Sequence, residues 1–318
     1  MALEILFDNR DGKIYDISEM VTSVSWKTVR IGQPGSLDVS LVKHKDMKID
    51  TGAVIRVRDG SIKIFYGYVF AIGQGDDDEI SITAYDQIRY LLSKDTFVFA
   101  NATAGEIIRK VAGDFGLTVG NLAGTGYRIP TLVEDNQTGL DVICKALDLT
   151  LIATGNIFVF YDSFGALTLT NAADMRVDVV LGDESLAYGY SYERSIDDDT
   201  YNRIKLVQNN KETKRRDVYV AQDSANIAKW GRLQYFDVVD EKMNAAQIKE
   251  LLNTLIQLKN RERRSLKIDA LGDLRIRAGC YIPVILNELG INQYFLVDEC
   301  THKWEGDEHT MQITLKVV

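Results

Sequence analysis

The chain is 318 residues long, carries a formal charge of −9 and is 46% hydrophobic, with 3 prolines and no Ser/Pro-rich or low-complexity stretch. That length suits two or three closely coupled domains, and the composition excludes a disordered chain. The acidic balance excludes a nucleic-acid-binding surface spread over the whole molecule, since neutralising phosphates needs clustered Lys and Arg.

Met1-Ala-Leu-Glu-Ile-Leu-Phe-Asp8 lacks a basic n-region and is interrupted by Glu4, so it does not read as a signal peptide. No apolar run approaches the ~20 residues of a membrane helix. Leu3–Phe7 and Lys13–Tyr15 flank Asp11-Gly12, a two-strand hairpin signal. Val21–Trp26 alternates, Gly32-Gln-Pro-Gly35 is a turn, and Ser36–Val42 puts Leu37, Val39 and Leu41 on one face. Strands follow at Gly52–Val57, Ile64–Ile72 and Glu79–Ala84. Short strands with frequent turn signals predict an antiparallel barrel or sandwich. Ala84–Leu92 is a bridging helix.

The middle begins with Thr103-Ala-Gly-Glu106, a capping box opening a helix whose face is Ile107, Ile108, Val111 and Phe115, with Gly116 as its stop. A Gly-rich loop leads to Ile129-Pro130, where the chain is extended. A second cap at Thr138 opens the face Leu140, Ile143, Cys144 and Leu147. Gly155-Asn156 then separates a strand at Leu149–Ile152 from one at Ile157–Phe160, and Asp162-Ser-Phe-Gly165 turns the chain into Leu167–Leu169. The pattern is helix, loop, helix, β-meander.

Further on, Leu186–Tyr192 alternates, Asn202–Val207 is a strand, basic Lys211–Arg216 a hairpin tip and Asp217–Ala221 the returning strand. Asn244–Lys259 is the clearest helix, with an Asn cap and a stripe of Ile248, Leu251, Leu252, Leu255 and Leu258. β-structure then resumes. The two ends resemble one another. Ser36-Leu-Asp-Val-Ser-Leu, Gly52-Ala-Val-Ile-Arg-Val, Phe65-Tyr-Gly-Tyr-Val and Ile80-Ser-Ile-Thr form a series that Ser265-Leu-Lys-Ile-Asp-Ala, Gly279-Cys-Tyr-Ile-Pro-Val, Phe295-Leu-Val-Asp and Met311-Gln-Ile-Thr repeat at near-equal spacing. One β unit used twice is the expectation.

The order of the middle motifs, together with Gly272-Asp-Leu-Arg-Ile-Arg-Ala-Gly279, Phe295-Leu-Val297, His302-Lys-Trp304 and His309-Thr-Met-Gln-Ile313, resembles the late-control-D and PBSX-like prophage hub proteins of contractile tails and tail-like bacteriocins. Residues 215–245 match least. The resemblance implies an α+β, mainly β fold, with two tube-type antiparallel β-barrels flanking a mixed helix/β-meander module. The divisions would be 1–98, the first tube-like barrel; 99–183, the middle module; and 184–318, the second barrel, with a helical insertion around 244–264. It implies a structural baseplate hub connecting a six-fold tail tube to a three-fold central spike. The partners implied are two further copies in a homotrimer, the tail tube protein, the central spike protein, and other baseplate and tape-measure proteins. No membrane binding and no sequence-specific nucleic-acid binding are expected, and assembly would be in the bacterial cytoplasm, with the chain ending in a virion tail or released bacteriocin particle. A tail-associated cell-wall hydrolase and a carbohydrate-binding tail-tip protein are the alternatives.

No catalytic, cofactor or metal residues are assigned. Cys300, His302 and His309 admit a metal reading, but structural zinc needs two ligand pairs at short spacing and no second pair exists; paired strand residues are the simpler reading. Asp76–Glu79 and Asp197–Asp199 read as solvated turn tips rather than calcium loops, which need alternating oxygen ligands and a bidentate Glu at fixed distance. Tyr188, Tyr190 and Tyr192 on one strand face form either a sugar-stacking platform or a half-buried barrel face. Gly120–Gly126 lacks the G-x-x-x-x-G-K-[ST] pattern of a phosphate cradle, and G-x-S-x-G and H-E-x-x-H are absent. Basic Lys205–Arg216 and Lys259–Lys267 are contact surfaces for an acidic partner or solvated faces. Cys144, Cys280 and Cys300 form no C-x-x-C pair and read as small buried hydrophobes of a reducing compartment.

Overall fold

The computed structural model describes residues 3–44, 48–75, 78–197, 199–210, 215–241 and 243–317. Parts of two acidic runs (residues 76, 77 and 198) and the expected hairpin tip at 211–214 lie outside the described residues. The chain divides into two compact units, one of Met1–Ser191 with Lys267–Lys316, the other centred on Tyr192–Leu266.

In chain order, the first β region comprises β1 (Leu3–Asp8), β2 (Ile14–Asp16), β3 (Val21–Val29), β4 (Ser36–Val42), β5 (Val54–Asp59), β6 (Ile62–Gln74) and β7 (Glu79–Tyr85). The middle contains β8 (Lys94–Ala102), α1 (Ala104–Asp114), β9 (Val119–Leu122), β10 (Ile129–Thr138), α2 (Gly139–Thr154), β11 (Phe158–Asp162) and β12 (Leu167–Asn171). Next come β13 (Leu181–Gly182), β14 (Ala187–Ser195), β15 (Arg203–Asn210), β16 (Arg215–Gln222), α3 (Ser224–Trp230), β17 (Gln234–Val239) and α4 (Ala245–Lys259). The chain closes with β18 (Arg263–Leu271), β19 (Tyr281–Leu286), β20 (Ile291–Glu305) and β21 (Glu308–Val317).

The fold is mainly β, as the pattern predicts, but its sheets are not closed barrels. One open sheet runs β14-β18-β21-β20-β3-β4-β7-β6-β5-β1-β2, with β19 on β20 and β13 on β19. Two separate closed barrels would need each β region to pair with itself at its ends. Instead β20 pairs with β3 from Glu299↔Val29 to Glu305↔Ser23, so the two regions share a seam.

The expected repetition is present in that sheet. The order β3-β4-β7-β6-β5 is matched by β14-β18-β21-β20-β19. Gly52 (φ +84°) donates to the Val69 carbonyl and receives Val69 N–H on its neighbour Ala53. Gly279 (φ +92°) and Cys280 repeat this reciprocal bond with Val297. Both long strands bulge at that point, between Val69 and Ala71 in β6 and between Val297 and Glu299 in β20, and beyond the bulges Ile72↔Ile82 corresponds to Cys300↔Ile313. Shared bulges and shared left-handed glycines are positional features, not consequences of alternation alone.

The middle segment folds over one core of Ile107, Ile108, Val111, Ile143, Leu167 and Leu169, all almost fully buried. Thr103 and Glu106 form the predicted reciprocal cap, and Gly116 follows the helix with φ +65°. The expected strand at Leu149–Ile152 is instead the last turns of α2. Thr150 is buried and its hydroxyl donates to the Ala146 carbonyl, so this β-branched residue is satisfied within the helix, which ends at left-handed Gly155. The helix expected at Ala84–Leu92 shrinks to a 3₁₀ segment, Gln87–Leu92, because Asp86 stays extended as its cap.

In the second unit, β16-β15-β17 form a sheet, and α4 lays Ile248 and Leu252 on its Ile204, Leu206 and Val239. The predicted stripe therefore covers a local three-stranded sheet, not a barrel, and Leu258 stays exposed. No helix among the described residues is long and apolar enough to cross a membrane.

Candidate functional site

A buried polar cluster lies in the first unit, where β7 leaves the sheet. Asp86 accepts from Gly35 N–H (2.8 Å) and Ile88 N–H (3.0 Å). Its neighbour Gln87 is buried, donates to Asp162 (2.8 Å) at the end of β11, and exchanges two bonds with Thr118. Asp162 also accepts from Gly165 N–H (2.6 Å), which shapes the turn that presses Phe164 onto Tyr66. Arg277, from the loop before β19, lies 4.1 Å from the Tyr161 ring centre. Burial first, and then the Asp162 charge, push Asp86 up to about 8; burial likewise raises Asp162.

Two raised carboxylates resemble an acid/base pair, the feature that a hydrolase would need. The cavity they share with Arg277 and Tyr161 has a volume of about 20 Å³. That admits about one water molecule and no sugar ring. What the cluster does is tie Gly35 of the first β region, Asp162 of the middle and Arg277 of the last β region into one joint.

The seam between β20 and β3 carries a second cluster. His302 pairs with Trp26 across the strands and stacks on its ring at 5.3 Å. Cys300, His302 and His309 do come together: Cys300 Sγ lies 3.4 Å from His302 Nε2, and His302 Nδ1 lies 3.0 Å from His309 Nε2. But His302 Nε2 is 2.8 Å from the Ile276 carbonyl, which only accepts, so that nitrogen carries the proton and donates. His302 Nδ1 must then accept from His309 Nε2–H. Both nitrogens of His302 are thus in hydrogen bonds, His309 is engaged through Nε2 while its Nδ1 is buried without a partner, and Trp304 lies flat on His309 at 4.4 Å. Among the described residues no three His, Cys, Asp or Glu side chains are grouped as metal ligands. Burial lowers His302 to about 4 and lowers His309 as well, while it raises the Cys300 thiol. All three cysteines are free, with Cys280 and Cys300 buried.

The remaining sequence candidates separate. Along β14, Tyr188 and Tyr190 are 65% and 38% exposed while Tyr192 is half-buried, so the stripe passes from a solvent-facing to a half-buried position. Tyr190 donates to Glu288. Gly120 lies on β9, with the Ala166 and Thr168 side chains 3.1 Å from where a Cβ would be, so this stretch packs on β12 instead of looping round a ligand. Glu79 accepts from Thr22, and Asp199 is paired with Lys259. Lys259 also lies over Tyr201 and Tyr235, and Arg264 pairs with Glu262, so the second basic cluster is engaged locally. The Asp86 joint has no spacing motif, because its bonds join residues 51 and 75 apart in the chain. The histidine stack does have one, the close Cys300, His302 and His309, and only its Trp26 contact comes from far away in sequence.

The chain is 33% identical over 303 residues to the uncharacterised protein YqbQ of Bacillus subtilis, covering 93% of this chain and 92% of that one. It is 32% identical over 298 residues to the phage-like element PBSX protein XkdQ of the same organism, covering 92% and 90%. Its fold matches the 43 kDa tail protein of prophage MuSo2 from Shewanella oneidensis with a TM-score of 0.73, at 17% identity and 98% coverage of both chains. A family model described as YQBQ-like matches residues 24–316, and the chain belongs to that family.

Proposed function

We propose that this protein is the structural hub of a contractile phage tail or tail-like bacteriocin, joining the tail tube to the central spike. The observation that carries this reading is the repeated β unit and its seam. In the chain, the β20 edge beyond its bulge receives β3. The equivalent edge in the first repeat is β6 beyond Val69, for which the described pairings give β7 as its neighbour. The equivalent of β3 is β14, which stands at the end of the sheet. A seam between β6 of one copy and β14 of the next repeats the internal one, and three copies then present six units around one axis. A ring of this kind suits a six-fold tube on one side and a three-fold spike on the other, and it removes open strand edges.

On this reading residues 1–98 and 184–318 carry the two tube-like units, the latter with its helical insertion, and 99–183 form the middle module. The partners are two further copies, the tube and spike proteins, and other baseplate and tape-measure proteins. Assembly is in the bacterial cytoplasm and the chain is carried in the particle. Membership beside a phage-like element protein and likeness to a prophage tail protein support this reading. The role is structural and not enzymatic; the small cavity at Asp86 and Asp162 favours this over hydrolysis, and a peptidoglycan zymogram of the purified chain should show no clearing. The deciding measurement is a reconstruction of the native particle with this chain located. Three copies around the axis are expected; six, or one off the axis, overturn the proposal.

A further inference from the structure

The three-stranded sheet of the second unit has one face covered by α4 and one face that, among the described residues, no element of that unit covers. Side chains alternate across a strand, so the register gives the open face row by row. Arg203 stands between Gln222 and Gln234 and is hydrogen-bonded to both. Lys205 stands between Val220 and Phe236, with its Nζ 5.9 Å from the Phe236 ring centre. Val207 stands between Val218 and Val238, and Arg216 bonds Asn209 at the end. Val218, Val220, Phe236 and Val238 are 54%, 42%, 50% and 45% exposed. Four large apolar side chains half in water on one small sheet mark a surface that gains by being covered.

The charges say what covers it. Arg203, Lys205 and Arg216 are cationic, and the carboxylates of these strands, Asp217 and Asp237, are at the alternate positions that face α4. In a chain of net charge −9 this face is a local cationic one. Two such faces set against each other would bring like charges together in a low-dielectric contact, which disfavours a second copy. A nucleic acid would leave Val218, Val220 and Val238 against phosphate or water. We propose that this face docks a partner protein through a segment with an apolar centre and acidic flanks, the apolar part on Val220, Phe236 and Val238, and the carboxylates on Arg203, Lys205 and Arg216.

The inference does not rest on the hub reading, because it can be tested in producing cells whatever particle the chain enters. A photo-crosslinking residue is placed at Val220 or at Phe236, and as control at Lys249 on the exposed side of α4. Both face positions should capture one and the same peptide of another protein, rich in Asp and Glu, and Lys249 should not. The double charge reversal K205E/R216E should lower that yield roughly tenfold or more, and 1 M salt during irradiation of extracts should lower it too. Phe236→Ser, at a half-exposed position, separates the apolar part and should also reduce capture while the melting temperature stays within a few degrees. Capture mainly of a second copy of this chain, of nucleic acid, or of a peptide without carboxylates overturns the proposal. So does absence of any adduct at both face positions, or a yield indifferent to charge reversal.

Discussion

Burial, rather than any catalytic partner, sets the protonation of Asp86 and of His302, and the two respond to pH in opposite directions. Asp86 is raised to about 8, so its contribution to stability is complete below the ordinary carboxylate range near 4 and is lost as pH rises through about 8. His302 is lowered to about 4, so its contribution is present above about 6.5 and is lost as pH falls through about 4. Between pH 4 and 6.5 the slopes oppose each other; from 6.5 to 8 the acid at the joint acts without the histidine. Native stability measured by urea unfolding should therefore decline from pH 6.5 to 8. Asp86→Asn should flatten that decline, while costing about 1–3 kcal/mol at pH 6, because its amide faces one of the two backbone N–H donors that Asp86 accepts. A variant with the native slope would show that Asp86 is charged when folded. Gly52 and Gly279 provide a second residue-scale comparison. Both are left-handed, so either change to Ala brings backbone strain of about 1 kcal/mol. A Cβ at Gly52 meets open space, whereas at Gly279 it would lie 2.5 Å from Val159. Gly279→Ala should cost about 1–3 kcal/mol more than Gly52→Ala, read as the difference between two unfolding midpoints.

Elements were legible where local chemistry decides them and obscure where tertiary pairing does. The capping box of α1, the Thr138 cap, the Asn244 cap and the β4 alternation are all complete within a few residues, and each is where the pattern put it. By contrast the Lys94–Ala102 run carries no strand pattern of its own and becomes β8 by pairing with β10 further along the chain. Four-residue β9 owes its form to β12, and β17 to its parallel partner β15. The β-branched and aliphatic run Leu149–Ile152 fits either state, and only the burial of Thr150 inside the helix resolves it. The site residues were harder still, since nothing near Asp86 in sequence announces Asp162 or Arg277. For α4 the stripe was right in kind and too long: Leu252 is buried, whereas Leu258 is 54% exposed. Leu252→Asp should destabilise the second unit by about 3 kcal/mol or more, since it leaves a charge unpaired on a small core, and Leu258→Asp by less than about 0.5 kcal/mol. Denaturant unfolding followed by the fluorescence of Trp230, in the same unit, reads this directly. Equal effects at the two positions would mean that the stripe packs differently.

At the scale of the whole molecule, the internal seam sets the geometry that an assembled ring has to reproduce. β20 and β3 meet with His302 opposite Trp26. Carrying the pairings across the repeat places Gln74 of β6 where His302 stands in β20, because Ala71 and Glu299 are the first residues past equivalent bulges. Ser191, central in β14, corresponds to the neighbourhood of Trp26 in β3, since each strand flanks the equivalent member of the pair β18 and β4. Gln74 and Ser191 are both exposed, and all three native cysteines are at least partly buried. A chain carrying Gln74→Cys and Ser191→Cys should therefore give, with a short bismaleimide on assembled material, a ladder that ends at the covalent trimer. Each single-cysteine variant should give none, because the seam joins unlike edges and never two copies of the same strand. A mixture of the two single variants should stop at the dimer, since each contact then uses one cysteine from each kind of chain. A ladder that passes the trimer would point to six copies or an open filament. Crosslinking of either single variant to itself would mean that the copies meet by like edges, and the repeat would then have no part in closing the ring.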